Sequence, residues 1–385
     1  MENTLGGQQR TIGFFPKLEF DIFFPFIIFK TMQIKLVHTA DIHLKREDPF
    51  RLNILSWIIS KTKELADGLI IAGDLFENNT EASFLRGSVR EIFEKIQNLP
   101  IFIVPGNHDY SSYSPDTFYG ENVVVFNSPA FHIIPGGMRI IGIPFKPGSD
   151  FSTLIEKIKI NPDTDIVITH GTLYDRESSR IYTELGEDAK YMPVYKWDIE
   201  NKMRYLALGH YHSRFIHLTY GKTQVVYPGS PVATSKRATG MRYLALGHFK
   251  RSEPVRIERI PVEISPYWKK IEWMVFPGKE EKVVKKIEKD IQKARGIKIM
   301  LDGHIKGSIA ISEIDFREKI REIEQKYQNE FKLLELQIEV SYWADILKNP
   351  TIASFVEKLE KVNRDDSVKQ RALELTLSAL EKLRA

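Results

Sequence analysis

The sequence predicts an α/β protein, and three observations carry that prediction. Short, β-rich apolar runs recur along the first half of the chain: IKLV at 34–37, LIIA at 69–72, IFIV at 101–104, IVIT at 166–169 and YLAL at 205–208. Continuous apolar runs of this length suit strands buried on both faces. Helical patterns over 50–65 and 84–96 separate the early runs and are long enough to cross over a sheet, which makes the organisation β-α-β. Each run is also followed by a polar cluster holding Asp, Asn or His.

From about residue 212 the pattern changes to hairpins, with FIHLTY and TQVVYP flanking Gly221 and Lys222 and further strands near 241–249 and 254–263. A second sheet is expected there. After Pro266 a compact α+β unit is expected: strand 269–276, helix 279–295, strand 296–302, helix 313–328 and strand 332–342. Its first helix carries the stripe Val283, Val284, Ile287 and Ile291, and LLELQIEVSY alternates with period two. Two helices, 351–362 and 366–384, close the chain. Their stripes (Ile352, Phe355, Val356 and Leu359; Ala372, Leu375, Ala379 and Leu383) either dock on the chain's own body or bind a partner, because a two-helix hairpin cannot bury both faces alone.

With 385 residues the chain can bury a full core and carry appendages. It has no cysteine, which excludes disulfides, thiolate zinc sites and cysteine nucleophiles and suggests an intracellular, cytoplasmic setting. The net charge of +4 is the remainder of 55 basic and 51 acidic groups, so it permits nucleic-acid binding without advertising it. In residues 1–31, seven phenylalanines from Phe14 to Phe29 are interrupted by Pro16, Lys17, Asp21 and Pro25. That is too broken for a transmembrane helix and is expected to be an upstream extension, with Met32 as the true start. The octapeptide MRYLALGH occurs at 203–210 and again at 241–248, but only the first copy continues into a His-Tyr-His run, so His248 is expected to be structural. His38, inside the first strand, is read the same way.

Five clusters of metal-type donors stand at the C-terminal ends of the five runs: Asp41-Ile42-His43, Gly73-Asp74, Gly106-Asn107-His108-Asp109, His170-Gly171 and Gly209-His210-Tyr211-His212. Strand ends of an open α/β sheet converge on one crevice, where helix-face positions would scatter. Carboxylate, imidazole and amide donors without thiolate suit manganese, iron or zinc. The glycines let the chain turn and bring backbone close to an ion or a phosphate.

This order of motifs resembles the calcineurin-like metallophosphoesterase superfamily from Ile34 to about Ser235. HTADIHL, GDLF, YPGSPVATS and the following α+β unit further resemble the SbcD type of double-strand-break repair nuclease, called meiotic recombination eleven in eukaryotes. The resemblance implies a four-layer α/β/β/α nuclease core over 32–265, a DNA-binding capping domain over 266–345 and a helical tail over 346–385. It implies one ion held by Asp41, His43, Asp74 and His212, and a second held by Asp74, Asn107, His170 and His210, with Asp74 bridging. Manganese is the first expectation, with iron, zinc or magnesium as the other candidates. His108 corresponds to the family's catalytic histidine, with Asp109 as its orienting partner. Some relatives carry a histidine where this chain has Glu77, which leaves the endonuclease and exonuclease balance open. Lys236, Arg237 and Arg242, beside the PGS loop, are the candidate phosphate contacts. The implied partners are DNA (duplex ends and hairpins), a second copy of the chain, and a coiled-coil ATPase of the SbcC type docked on 350–385. A stand-alone phosphodiesterase acting on nucleotides or other small diesters is the alternative.

Overall fold

A computed structural model describes residues 33–114, 116–174, 191–251, 253–342 and 348–365, together with 368, 369, 371–373, 375 and 376. The expected extension over 1–31 and most of the expected helix 366–384 lie outside the described residues. No helix among the described residues is long and apolar enough to cross a membrane.

Two mixed six-stranded sheets form the core. The first has the order β14-β13-β1-β2-β3-β4. Its strands are β1 (Gln33–Thr39), β2 (Gly68–Ala72), β3 (Ile101–Val104), β4 (Val123–Val125), β13 (Tyr243–Lys250) and β14 (Arg256–Pro261). Here β1 to β4 are parallel, whereas β13 runs antiparallel to β1 and β14 antiparallel to β13. The second sheet has the order β11-β12-β10-β7-β6-β5. It comprises β5 (Ala130–Ile134), β6 (Met138–Ile143), β7 (Asp165–His170), β10 (Tyr205–Gly209), β11 (Ile216–Tyr220) and β12 (Thr223–Tyr227). Its central strands β6, β7, β10 and β12 are parallel.

Neighbouring residues of these strands serve different cores, which is why the runs are apolar throughout. Ile70, Phe102, Val104, Ile168 and Ala207 meet in the layer between the sheets. Leu69, Ile71, Ile101 and Ile103 face helices α1 (Phe50–Leu65) and α2 (Asn79–Phe93) on the far side of the first sheet. Val167, Leu206 and Leu208 face α3 (Phe151–Ile155) and α4 (Lys196–Ile199) on the far side of the second. The arrangement is therefore the expected four-layer α/β/β/α core. Helix α1 has the expected bounds. Helix α2 begins at Asn79 instead of 84, because the Asn78 side chain accepts a hydrogen bond from Glu81 N and starts the helix on a polar turn that has no apolar stripe. The short parallel pair β8 (Thr172–Tyr174) and β9 (Pro193–Tyr195) lies in the chain between β7 and β10 of the second sheet.

The third sheet is β15 (Tyr267–Val275), β16 (Gly296–Ile309) and β17 (Phe331–Tyr342) in that order, with both pairings parallel. Parallel neighbours need crossovers, and α5 (Glu280–Ala294) and α6 (Glu313–Tyr327) supply them. The unit has the expected strand-helix-strand-helix-strand order, and its parallel pairing makes it βαβαβ. Val283, Ile287 and Ile291 of α5 pack with Phe316 and Ile320 of α6 over Trp273, Leu301 and Ile305. A bridge between Thr239 and Trp268, and a 2.8 Å hydrogen bond from Gly240 N to Trp268 O, join this unit to the core. Helix α7 (Pro350–Lys361) packs Ile352 and Val356 against Phe276 and Leu373, so this part of the tail's stripe does dock on the chain's own body.

Because Ile70 and Ile71 face two different cores, Ile70→Ala and Ile71→Ala should each cost about 2–5 kcal/mol in urea unfolding. A near-neutral result at either position would mean that one face of β2 is open to solvent.

Candidate metal centre

Strands β1, β2 and β3 of the first sheet and β7 and β10 of the second end beside one another, and the five polar clusters follow those ends. The loops are tied together by main-chain bonds, Asp41 N to Gly73 O at 3.1 Å and His43 N to Asp74 O at 2.9 Å. Asp41, His43, Asp74 and His210 all hold positive φ, at 56°, 51°, 50° and 100°. For residues with a Cβ this costs about 1 kcal/mol or more each, and such strain persists where the surroundings impose it. Two glycines permit the close approach. A methyl group at Gly73, whose φ is 86°, would strike the His170 ring, and one at Gly106 would strike Asp74 Oδ1.

The donor atoms of Asp41, His43, Asp74 and His212 all lie within 4.8 Å of one another. On the other side of Asp74, Asn107 Oδ1 is 2.9 Å from His170 Nε2 and 3.1 Å from His210 Nδ1, and Asp74 Oδ2 is 3.3 Å from His170 Nε2. The structure thus brings all seven expected donors into one pit, with Asp74 adjoining both groups. Asp41 and Asp74 are fully buried. Asp41 accepts His210 N through both oxygens, at 2.9 and 3.1 Å. Asp74 Oδ1 accepts His108 N at 2.9 Å, while buried Oδ2 has no hydrogen-bond partner among the described residues.

These contacts fit a cation. His170 Nδ1 lies 3.0 Å from the carbonyl of Ala72, which can only accept, so Nδ1 carries the hydrogen. In a neutral ring, Nε2 then turns a lone pair toward two further acceptors, Asn107 Oδ1 and Asp74 Oδ2. Acceptor facing acceptor is repulsive unless a proton or a metal ion lies between them. Without metal the proton does this work. Burial alone lowers the His170 imidazole, but Asp74 and Asp41 outweigh it and hold it at about 9. Burial and then the neighbouring Asp74 push Asp41 up to about 6 against the pull of His170 and His43. Burial also opposes ionisation of Asp74, but His170, His43 and His108 outweigh it and keep its carboxyl far below the usual range. Burial, then the nearby His43, drives His212 well below the ordinary imidazole value.

His108 is exposed in the crevice, with Nδ1 3.0 Å from the Glu77 carbonyl. The expectation that Asp109 orients its ring is corrected. Asp109 is fully buried and accepts from Gly106 N, Leu75 N, Phe76 N and Tyr113 Oη, at 2.8, 2.9, 3.2 and 2.9 Å. It staples the loop that carries Asn107 and His108 to the loop after β2. Arg242 is corrected too: it is 1% exposed and donates to the carbonyls of His212, Ser213 and Ser230, so it braces the loop after β10 and cannot meet substrate. Lys236 pairs with Glu335 and Asp302 across the junction with the third sheet. Of the three expected phosphate contacts, Arg237 lines the metal crevice. Tyr191, Ser213, Thr234 and Ser235 also line it. Tyr191 escaped the sequence reading because it belongs to no donor cluster. His38 is buried between the sheets with Nδ1 2.8 Å from Tyr205 Oη, in the structural place expected.

The His170 pKa is raised, so in the metal-free protein the proton is held at neutral pH and lost as pH rises through about 9. A metal must displace it, so Mn²⁺ uptake near pH 7 should release about one proton, and affinity should climb with pH up to about 9. Calorimetry in two buffers of different ionisation enthalpy measures the release; proton-neutral uptake would show that His170 is not a ligand.

Residues 34–214 match the model of the calcineurin-like phosphoesterase family. The DNA double-strand break repair protein Mre11 of Archaeoglobus fulgidus is 24% identical over 232 residues, covering 51% of this chain and 50% of that protein, so the chain matches about half of that relative's length. Among solved structures, the purple acid phosphatase PPD1 of yellow lupin aligns with a TM-score of 0.42 at 15% identity, over 62% of this chain and 53% of its own. TT1561 of Thermus thermophilus aligns with a TM-score of 0.37 at 13% identity, over 57% of this chain and 99% of its own. The family match and the geometry fall on the same stretch of chain: residues 34–214, which match the calcineurin-like phosphoesterase model, hold the buried Asp and His donors of the candidate metal centre.

Proposed function

We propose that this chain is a two-metal-ion nuclease that hydrolyses phosphodiester bonds of DNA in double-strand-break repair, together with an ATPase of the SbcC type. The observation that carries the reading is the continuity of its crevices. The metal crevice, about 480 Å³, shares Ser213 and Arg237 with a second crevice of about 580 Å³ at the junction with the third sheet. Arg214, Lys236 and Lys270 line that second crevice. A small diester would fill the pit alone, whereas a polymer has further phosphates to place along this basic path. The similarity to Mre11 of Archaeoglobus fulgidus supports the same reading.

In this reading Asp41, His43, Asp74 and His212 hold one divalent ion, and Asp74, Asn107, His170 and His210 hold the other, manganese being the first candidate. Bound there, such ions lower the pKa of water, neutralise phosphate oxygens and stabilise an in-line displacement. His108, with Nδ1 committed to the Glu77 carbonyl, offers Nε2 to the phosphate. A proton on Nε2 can pass to the leaving oxygen as the P–O bond breaks. Arg237 holds a non-reacting phosphate oxygen at the rim.

The test is cleavage of end-labelled linear duplex DNA with Mn²⁺, alongside a bis-aryl phosphodiester. His108→Ser should lower DNA cutting by about 10²-fold or more and Asp74→Ala should abolish it. Arg237→Ala with Lys270→Ala should raise KM for DNA on the order of tenfold and make it less sensitive to salt. Diester hydrolysis with intact DNA would instead make the chain a small-molecule phosphodiesterase.

The ATPase would dock on residues 350–385, where Val362, Val368 and Leu375 are exposed by 45%, 52% and 55%. Val368→Asp with Leu375→Asp should abolish pull-down of an SbcC-type ATPase and leave metal-dependent cleavage intact; unchanged pull-down would remove the tail from the proposal.

A further inference from the structure

Glu77 stands where the loop after β2 passes both His43 and His108. We propose that Glu77 is a positioning residue that orients two histidines at once, its carboxylate taking the ring N–H of His43 and its main-chain carbonyl taking that of His108. The inference rests on the metal-centre reading above and adds to it a residue outside the seven donors.

His43 is 4% exposed, and its Nδ1 has no hydrogen-bond partner among the described residues. The acceptor facing that nitrogen is Glu77 Oε2, at 3.4 Å. The Glu77 side chain is 35% exposed, so a small rotation completes the bond at little cost. A carboxylate only accepts, which puts the His43 proton on Nδ1 and leaves the Nε2 lone pair directed inward, where it lies 3.7 Å from Asp74 Oδ2 and 3.2 Å from His212 Nε2. A ligating imidazole whose other nitrogen is tied to a carboxylate is fixed in tautomer and orientation and is the more basic donor for it. The carbonyl of the same residue, 3.0 Å from His108 Nδ1, fixes the second ring in the matching sense. The two rings meet edge to face, with centroids 4.7 Å apart and planes at 88°, so turning one disturbs the other.

A rival occupant of the same place is a third cation, since single donor atoms of His43, Glu77 and His108 also come within 4.8 Å of one another. The protons argue against it. A neutral imidazole has one lone pair, and that of His43 already points at the Asp41, Asp74 and His212 donors. His108 Nδ1 faces a carbonyl and must carry its hydrogen. A third ion would require His43 to lose both ring protons, which a site already holding two cations does not need.

The experiment is titration of Mn²⁺ into the metal-free full-length chain, reading stoichiometry and stepwise affinity for wild type, Glu77→Ala and Glu77→Gln. Glu77→Ala should weaken one of two equivalents about 10–100-fold and leave the other within about threefold. Glu77→Gln keeps an accepting oxygen without the charge and should restore most of the loss, and melting temperatures of the metal-free variants should match wild type. Unchanged stepwise affinities in Glu77→Ala would overturn the proposal, as would a Gln variant as weak as the Ala variant. A third equivalent present in wild type and absent in Glu77→Ala would overturn it in favour of Glu77 as a ligand. If wild type binds no Mn²⁺ at all, the metal-centre reading fails and takes this inference with it.

Discussion

The structure is organised around two carboxylates that solvent cannot reach. Asp41 and Asp74 are both fully buried and stand in one pit, and an uncompensated buried carboxylate costs several kcal/mol. Without metal, the pit answers with protons: His170 is held cationic up to about 9, and burial raises Asp41 so that it is still half protonated at about 6. Divalent cations do the same electrostatic work more completely, and they satisfy the acceptors that face one another around His170 Nε2. The pit is therefore poorly matched to its own charge until something positive enters it. That mismatch ties the fold to a metal more directly than any single donor does.

The same pit is also the seam between the sheets. His170, at the end of β7, reaches across to the Ala72 carbonyl at the end of β2, and Asp41, after β1, accepts the main-chain N–H of His210, after β10. These bonds sit at the mouth of the apolar layer in which Ile70, Phe102, Ile168 and Ala207 hold the sheets together. Four residues with unfavourable φ are tolerated because both sheets over-determine their positions. A ligand that draws the donors together therefore tightens the contact between sheets as well, and binding to the native state alone stabilises it.

Much of this was legible in the sequence, and what was not has physical causes. The five apolar runs and the donors behind them announced strands with two buried faces and a shared crevice, and all seven donors do meet there. The start of α2 was hidden because its first turn is polar and is defined by the Asn78 cap instead of by a stripe. Strands β4 and β5 were missed because they lie at sheet edges, where β4 is three half-buried residues and β5 is largely exposed, so neither carries a long buried run. The parallel pairing in the third sheet depends on crossover direction, on which strand periodicity is silent. Charge misled most. Lys236, Arg237 and Arg242 look alike in a sequence, yet one bridges two units, one lines the crevice, and one is buried beneath it. Asp109 likewise reads as a partner for His108 only until its backbone donors are counted.

The repeated octapeptide shows how strand direction decides what a sequence does. Both copies of MRYLALGH form central strands, β10 in the second sheet and β13 in the first. Strand β10 runs parallel to β7, so its C-terminal His210 arrives at the pit beside Asn107. Strand β13 runs antiparallel to β1, so His248 pairs with Lys35 near the start of that strand, at the edge away from the donors. The reversal exchanges the ends of the motif. The arginine that opens the second copy, Arg242, now lies at the site and holds the His212 carbonyl, while its counterpart Arg204 holds the Lys250 and Glu253 carbonyls at the other edge. One copy thus contributes its histidine to the metal centre and the other its arginine to the loop beneath it, and neither role can be assigned before the pairing of the strands is known.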